Sequence, residues 1–169
     1  MRIIVSDTSC LIDLRKVGLL MAVLALRYRF LIPLPLFEDE LLSWSAQEKA
    51  LLKDAGLEVL DLDGDQVDRA SAIRRTNKAL KLNDCFALVA AEDVADPVLL
   101  TGDGALRRFA EARAIEVHGV LWALDELDAG LLVPVQALLQ ALQGFRDDPT
   151  VWLPEEDISV RLRRYRRRL

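Results

Sequence analysis

The chain is poor in the side chains that carry much of enzyme chemistry. It has one histidine, His118, and two cysteines, Cys10 and Cys85. Those counts argue against a zinc site and leave no second imidazole for acid–base work. His118 falls at a strand end and reads as structural. Cys10 and Cys85 stand close to Asp7 and Asp84 in sequence and read as small buried apolar residues in a reducing compartment, not as a disulfide. No nucleophile elbow, P-loop or G-x-G-x-x-G is present. No apolar run approaches the roughly 18 residues that a membrane span needs; the longest, Val17 to Leu26, is too short. Met1 to Val5 reads as a strand because no small-residue cleavage site follows, so a cytoplasmic protein without a membrane partner is expected. Acids are missing from the last eleven residues, which hold six arginines, from Arg161 to Arg168. The first 158 residues therefore carry 16 bases against 27 acids, a net of −11. Such a body binds nucleic acid weakly by nonspecific attraction, and the basic tail can supply what it lacks.

What is present is a regular alternation. Its 169 residues, 52% of them hydrophobic, suit one domain with a small appendage. Residues 2–6, 30–32 and 98–100 are near-continuous apolar runs, as in parallel strands buried on both faces. Residues 57–60 alternate like an edge strand, and 115–117 form a last strand. Helices are predicted over 9–28 with a break near Gly18, from Pro35 to about Ser45, and over 48–55, 65–80, 84–94 and 104–113. The fold class is therefore α/β, a three-layer α/β/α arrangement with a mainly parallel central sheet. After His118 the pattern is helical only: residues 120–129, a helix opening at Pro134, and a last helix opening at Pro154. In that last helix Ile158, Leu162, Tyr165 and Leu169 make one stripe, expected to pack on the body or on a second subunit as a homodimer, with the arginines exposed. The division expected is 1–118 for the α/β domain and 119–169 for a helical extension packed on it.

Four carboxylates stand at the ends of these elements beside apolar sequence: Asp7, Glu40, Asp84 and Asp103. Asp7 and Asp103 follow strands, where open α/β sheets place their sites. Acids there also serve as ordinary helix N-caps. On a helical wheel Glu40 shares an arc with Leu36, Phe37, Leu41 and Trp44, while Glu38 and Asp39 fall outside it. Asp84 shares a face with Ala87, Leu88 and Ala91, with Asn83 available as the cap; it also reads as a first-turn acid favoured by the helix dipole. If the four converge, their repulsion must be offset. A divalent cation held by oxygens is the economical answer, and metal-dependent phosphoester chemistry its natural use.

These segments resemble the PIN-domain family, metal-dependent ribonucleases that include the VapC-type toxins. The resemblance rests on Ile4 through Asp13, Ile32-Pro33 through Glu40-Leu41, Asn83 through Ala91, and Leu100-Thr101-Gly102-Asp103. It implies a nuclease domain over 1–118 whose metal site, for Mg²⁺ or Mn²⁺, is Asp7, Glu40, Asp84 and Asp103, supported by Thr8 and Thr101. It implies RNA as substrate and an antitoxin protein as partner. The helices after residue 119 resemble the C-terminal part of a less characterised PIN-like subgroup. Arg107 and Arg108, just after Asp103, are candidates to steer phosphates, although a solvated helix face is the favoured reading for them, as for Arg74, Arg75, Lys78 and Lys81. A silent PIN-like binding module and a DNA structure-specific nuclease are the alternatives.

Overall fold

The computed structural model describes residues 1–169. Five strands, β1 (Ile3–Ser6), β2 (Arg29–Pro33), β3 (Leu57–Leu60), β4 (Pro97–Leu100) and β5 (Glu116–His118), form one sheet in the order β3-β2-β1-β4-β5. Every pairing is parallel, so the fold is the expected three-layer α/β/α arrangement. The apolar runs are central because both of their faces are covered: Ile4, Val5, Val98, Leu99 and Leu100 have no exposed surface. The chain winds outward from β1 to β3, then returns to the other side of β1 for β4. That reversal leaves a crevice beyond the carboxyl ends of β1 and β4, the usual ligand position in open α/β sheets.

The first crossover holds α1 (Thr8–Lys16) and α2 (Leu20–Leu24), parted at Gly18, whose φ of +72° ends the first helix as expected. The second holds α3 (Leu34–Asp39) and α4 (Ala46–Asp54), the latter opened by a Ser45–Glu48 capping box. The third holds α5 (Gly64–Thr76) and α6 (Leu82–Glu92), and the fourth α7 (Gly104–Glu111). Buried Ala87, Ala90 and Ala91 let α6 lie close on β1, β2 and β4.

Two helix boundaries differ from expectation, with consequences for the site. Helix α3 stops at Asp39, not near Ser45, and Glu40 is its C-cap. Leu41 and Trp44 are buried as predicted, but by the turn that follows rather than by a continued helix. Helix α6 begins at Leu82, so Asn83 lies inside its first turn and does not cap it.

Three further helices follow the sheet: α8 (Val120–Ala129), α9 (Val135–Asp147) and α10 (Glu155–Arg166). They join the same apolar core as the sheet. Ile158, Leu162 and Tyr165 of α10 are buried; Leu169 lies past the helix end and is exposed. The arginines do not simply line an exposed face. Arg161 and Arg164 both donate to Asp125 of α8, the former at 2.5 Å, and Arg168 pairs with Asp128 at 2.6 Å. Much of the basic tail is thus spent neutralising acids of the body. No helix is long and apolar enough to cross a membrane.

Truncating a buried side chain of α10 tests this docking. Leu162→Ala should cost about 2–5 kcal/mol, the usual range for emptying a buried leucine site. Urea denaturation measures it; an unchanged midpoint, with rapid native-state trypsin cleavage after Arg161, would show α10 undocked.

Candidate active site

Asp7 occupies the crevice between β1 and β4. Its backbone N–H donates to the Leu100 carbonyl at 2.9 Å, and its side chain caps α1. The carboxylate is buried and receives three hydrogen bonds: Oδ1 from the Thr8 N–H, and Oδ2 from the Ser9 and Thr101 hydroxyls, each at 2.8 Å. Both hydroxyls are themselves aimed by backbone donors. Gly102 N–H donates to Ser9 Oγ and Asp103 N–H to Thr101 Oγ1, each at 3.0 Å. Desolvation pushes the Asp7 carboxyl up despite these bonds, and the charge of Glu40 pushes it further.

Glu40 is half-buried. Its two oxygens accept from Thr8 Oγ1 and from Asn83 Nδ2, the latter at 2.8 Å. Thr8 therefore bonds to Asp7 through its backbone and to Glu40 through its side chain. Glu38 and Asp39 are exposed and point elsewhere, Glu38 toward Lys49. Asp84 stands in the first turn of α6, buried, with Oδ2 accepting from Lys81 N–H at 2.7 Å. Burial raises its carboxyl to about 6, and the charges of Asp7 and Asp103 add to the rise. Asp103 is exposed and caps α7 through Oδ1, which accepts from Leu106 N–H at 2.7 Å.

The four predicted acids thus face one end of the sheet in an electrostatic chain: Glu40 acts on Asp7, and Asp7 and Asp103 act on Asp84. None of them forms an ion pair. No three are drawn tightly enough to chelate one ion directly between them. A small hard cation that keeps several of its waters and takes one or two carboxylates suits that spacing. The donor set is all oxygen. Cys10 and Cys85 are buried free thiols, Cys85 pushed up to about 11 by desolvation, and so offer no thiolate near neutral pH. His118 is engaged elsewhere, stacked on Trp122 with ring centres 4.4 Å apart and bonded to Glu116.

Thr8 and Thr101 stand where supporting residues were expected. Ser9 and Asn83 belong beside them; from the sequence Asn83 reads only as a helix cap and Ser9 has no role of its own. Arg107 and Arg108 are adjacent in sequence but diverge. Arg107 donates to the Val117 carbonyl at 3.1 Å and lines the larger of two grooves. Arg108 is exposed, unpaired, and lines the smaller one, about 450 Å³, together with Lys78. Arg74, Arg75 and Lys81 are also outside any ion pair, and Lys81 immediately precedes the turn that carries Asp84. Arg74, Arg75, Lys78, Lys81 and Arg108 are thus an unneutralised basic strip, of which Lys81 acts on Asp84 and Lys78 and Arg108 share the smaller groove.

The raised Asp84 carboxyl makes apo stability pH-dependent. Its proton is held more tightly in the folded chain, with a value of about 6, than in the unfolded one, near 3.8. Ionisation therefore destabilises the fold progressively as pH rises across that interval. With chelator present, Asp84→Asn should match wild type in melting temperature below pH 3.8 and gain on it up to about pH 6, holding the gain above. The amide oxygen keeps the bond to Lys81 N–H. A difference that does not change with pH would show that Asp84 titrates normally.

A family model described as a PIN domain matches residues 3–167. A search of the curated proteins finds no match. PIN domains are usually nucleases, and the match spans nearly the whole chain, parallel sheet and C-terminal helices together: the chain belongs to the PIN-domain family.

Proposed function

We propose that the chain is a metal-dependent endoribonuclease that hydrolyses RNA phosphodiesters. The observation that carries this reading is the buried Asp7 carboxylate, held by three donors and surrounded by further carboxylates, with no cation of the protein to neutralise it. Such a group is costly to keep for folding alone. Asp7, Glu40, Asp84 and Asp103 are the residues that would hold one or two Mg²⁺ or Mn²⁺ ions, as PIN domains typically use divalent metals. When bound, the metal supplies a Lewis acid for the scissile phosphate and acidifies a water ligand.

The remaining work falls to the chain's own groups. Thr8, Ser9 and Thr101 fix the orientation of Asp7, and Thr8 and Asn83 that of Glu40, so that little reorganisation is left for the reaction. Asp84 Oδ2 is turned to Lys81 N–H and leaves Oδ1 without a protein partner, free to face ligand. Arg108, Lys78 and Lys81 can take the flanking phosphates and keep the polymer across the acids. A toxin acting on cellular RNA, restrained by an antitoxin protein, is the biological setting proposed for this activity.

Asp84→Asn preserves the local bond and should lower Mn²⁺-dependent RNA cleavage about 100-fold or more while the protein stays folded, since several kcal/mol of metal-borne stabilisation would go. Glu40→Gln should be far more damaging than Glu38→Gln or Asp39→Asn. Wild-type rates in Asp84→Asn, or equal effects from the three exchanges at residues 38–40, would overturn the assignment. For the basic strip, replacing Arg74, Lys78 and Arg108 by alanine should flatten the log–log salt dependence of single-stranded RNA binding by up to about 2 units, at roughly 0.7 for each phosphate left unneutralised. An unchanged slope would remove these residues from the interface.

A further inference from the structure

The larger groove, about 690 Å³, lies between the residues that hold Asp7 and the C-terminal extension. One wall contains Ser9, Thr101 and Gly102, the residues that hold Asp7 in place. The facing wall is the link between α9 and α10 and includes Trp152. That indole is 90% exposed, whereas Trp44 is buried and Trp122 is half-buried against His118.

The exposure of Trp152 is enforced by its neighbours. Lys16 Nζ bonds to Thr150 Oγ1 at 2.7 Å and pairs with Asp148 at 3.3 Å, fixing the start of the link to α1. Thr150 bonds back to Asp148 through both its N–H and its hydroxyl. Val151 and Leu153 on either side of Trp152 pack on the core, and Pro154 then opens α10. With both flanking side chains turned inward, the indole between them is directed outward on a tethered segment. An aromatic face held open across a groove from Ser9 and Thr101 suits a flat ligand.

Resting on the nuclease reading above, we propose that this groove is the subsite for single-stranded RNA and that Trp152 stacks on an unpaired base next to the cleaved phosphodiester. Four features select this occupant. The groove adjoins Asp7 through Ser9 and Thr101, which line it and donate to that carboxylate, while the four acids themselves lie outside its lining. Lys16, Arg107 and Arg161 line it and pair with Asp13 and Asp148, with Glu111 and with Asp125, so the groove offers matched charge and an aromatic face, not a repelling acidic wall. An exposed indole stacks on bases without regard to sequence, and only an unpaired base presents its face. Helix α7 stands between this groove and the basic one, with Arg107 on one side and Arg108 on the other. A strand crossing the acids would thus meet phosphate-binding cations on one flank and a stacking platform on the other.

Binding in the presence of chelator, which prevents cleavage, tests the proposal on the full chain. The probe is a mixed-sequence RNA dodecamer, single-stranded or annealed to its complement, followed by fluorescence anisotropy. Trp152→Ala should weaken single-strand binding roughly ten- to hundredfold, as removal of a base–aromatic stack does. Trp152→Phe should retain most of the affinity, and Trp152→Leu should not. All three should melt with wild type, because the indole is exposed. The salt dependence should keep its slope in Trp152→Ala, since stacking releases no counterions. Affinity unchanged by Trp152→Ala, or Leu serving as well as Phe, would overturn the stacking site while leaving the nuclease reading intact. Equal reliance of the duplex on Trp152 would overturn the preference for single strands. Failure of the wild-type chain to bind either RNA would also overturn the stacking site, and failure to cleave RNA once Mn²⁺ is restored would overturn the nuclease reading itself.

Discussion

The arrangement at the carboxyl end of the sheet depends on one acceptor. Both oxygens of Asp7 are committed to donors, and those donors come from two strands' ends: Thr8 and Ser9 after β1, Thr101 after β4. The Ser9 and Thr101 hydroxyls then accept from Gly102 and Asp103, so the turn after β4 is folded around the same carboxylate. Asparagine at this place would meet donors with a donor of its own. Asp7 thus ties the switch point together while remaining the most desolvated of the four acids.

Charge elsewhere is arranged in the opposite sense. Away from the crevice, many cations and acids are matched: Arg2 between Asp96 and Glu116, Arg69 among Asp65, Glu92 and Asp93, and Arg161, Arg164 and Arg168 on Asp125 and Asp128. At the crevice, like charges gather and the cations beside them are left unmatched. Uncompensated charge of both signs at adjoining places is what a polyanion and its counter-cation would fill.

How much of this could be read from the residues varies with the kind of interaction. The strands and the acids at their ends were legible because a strand buried on both faces has no polar positions of its own, so a following Asp stands out. The end of α3 was not. Leu41 and Trp44 continue a helical spacing, yet a turn buries them equally well, and periodicity records burial, not backbone hydrogen bonding. Asn83 is a favourable cap by type, but the bond to Glu40, 43 residues away, engages its side chain instead. The apolar stripe of α10 marked the docking face; nothing in its own spacing could show that α8 presents acids to the other side. Ser9 carried a weak signal, a hydroxyl two residues beyond an N-capping acid, whose bond to Gly102 requires knowing that β4 neighbours β1. Trp152 belongs to no periodic pattern at all.

The position of the link between α9 and α10 late in the chain bears on the order of synthesis. Sheet, acids and basic strip are all encoded before residue 119, but one wall of the larger groove is not made until residues 150–154, and the helix that follows it is held to α8 by Arg161. Until residue 168 has left the ribosome, Asp125 and Asp128 await the last of their arginines. A nascent chain, held within reach of abundant RNA, therefore carries its carboxylates before it has a complete groove beside them.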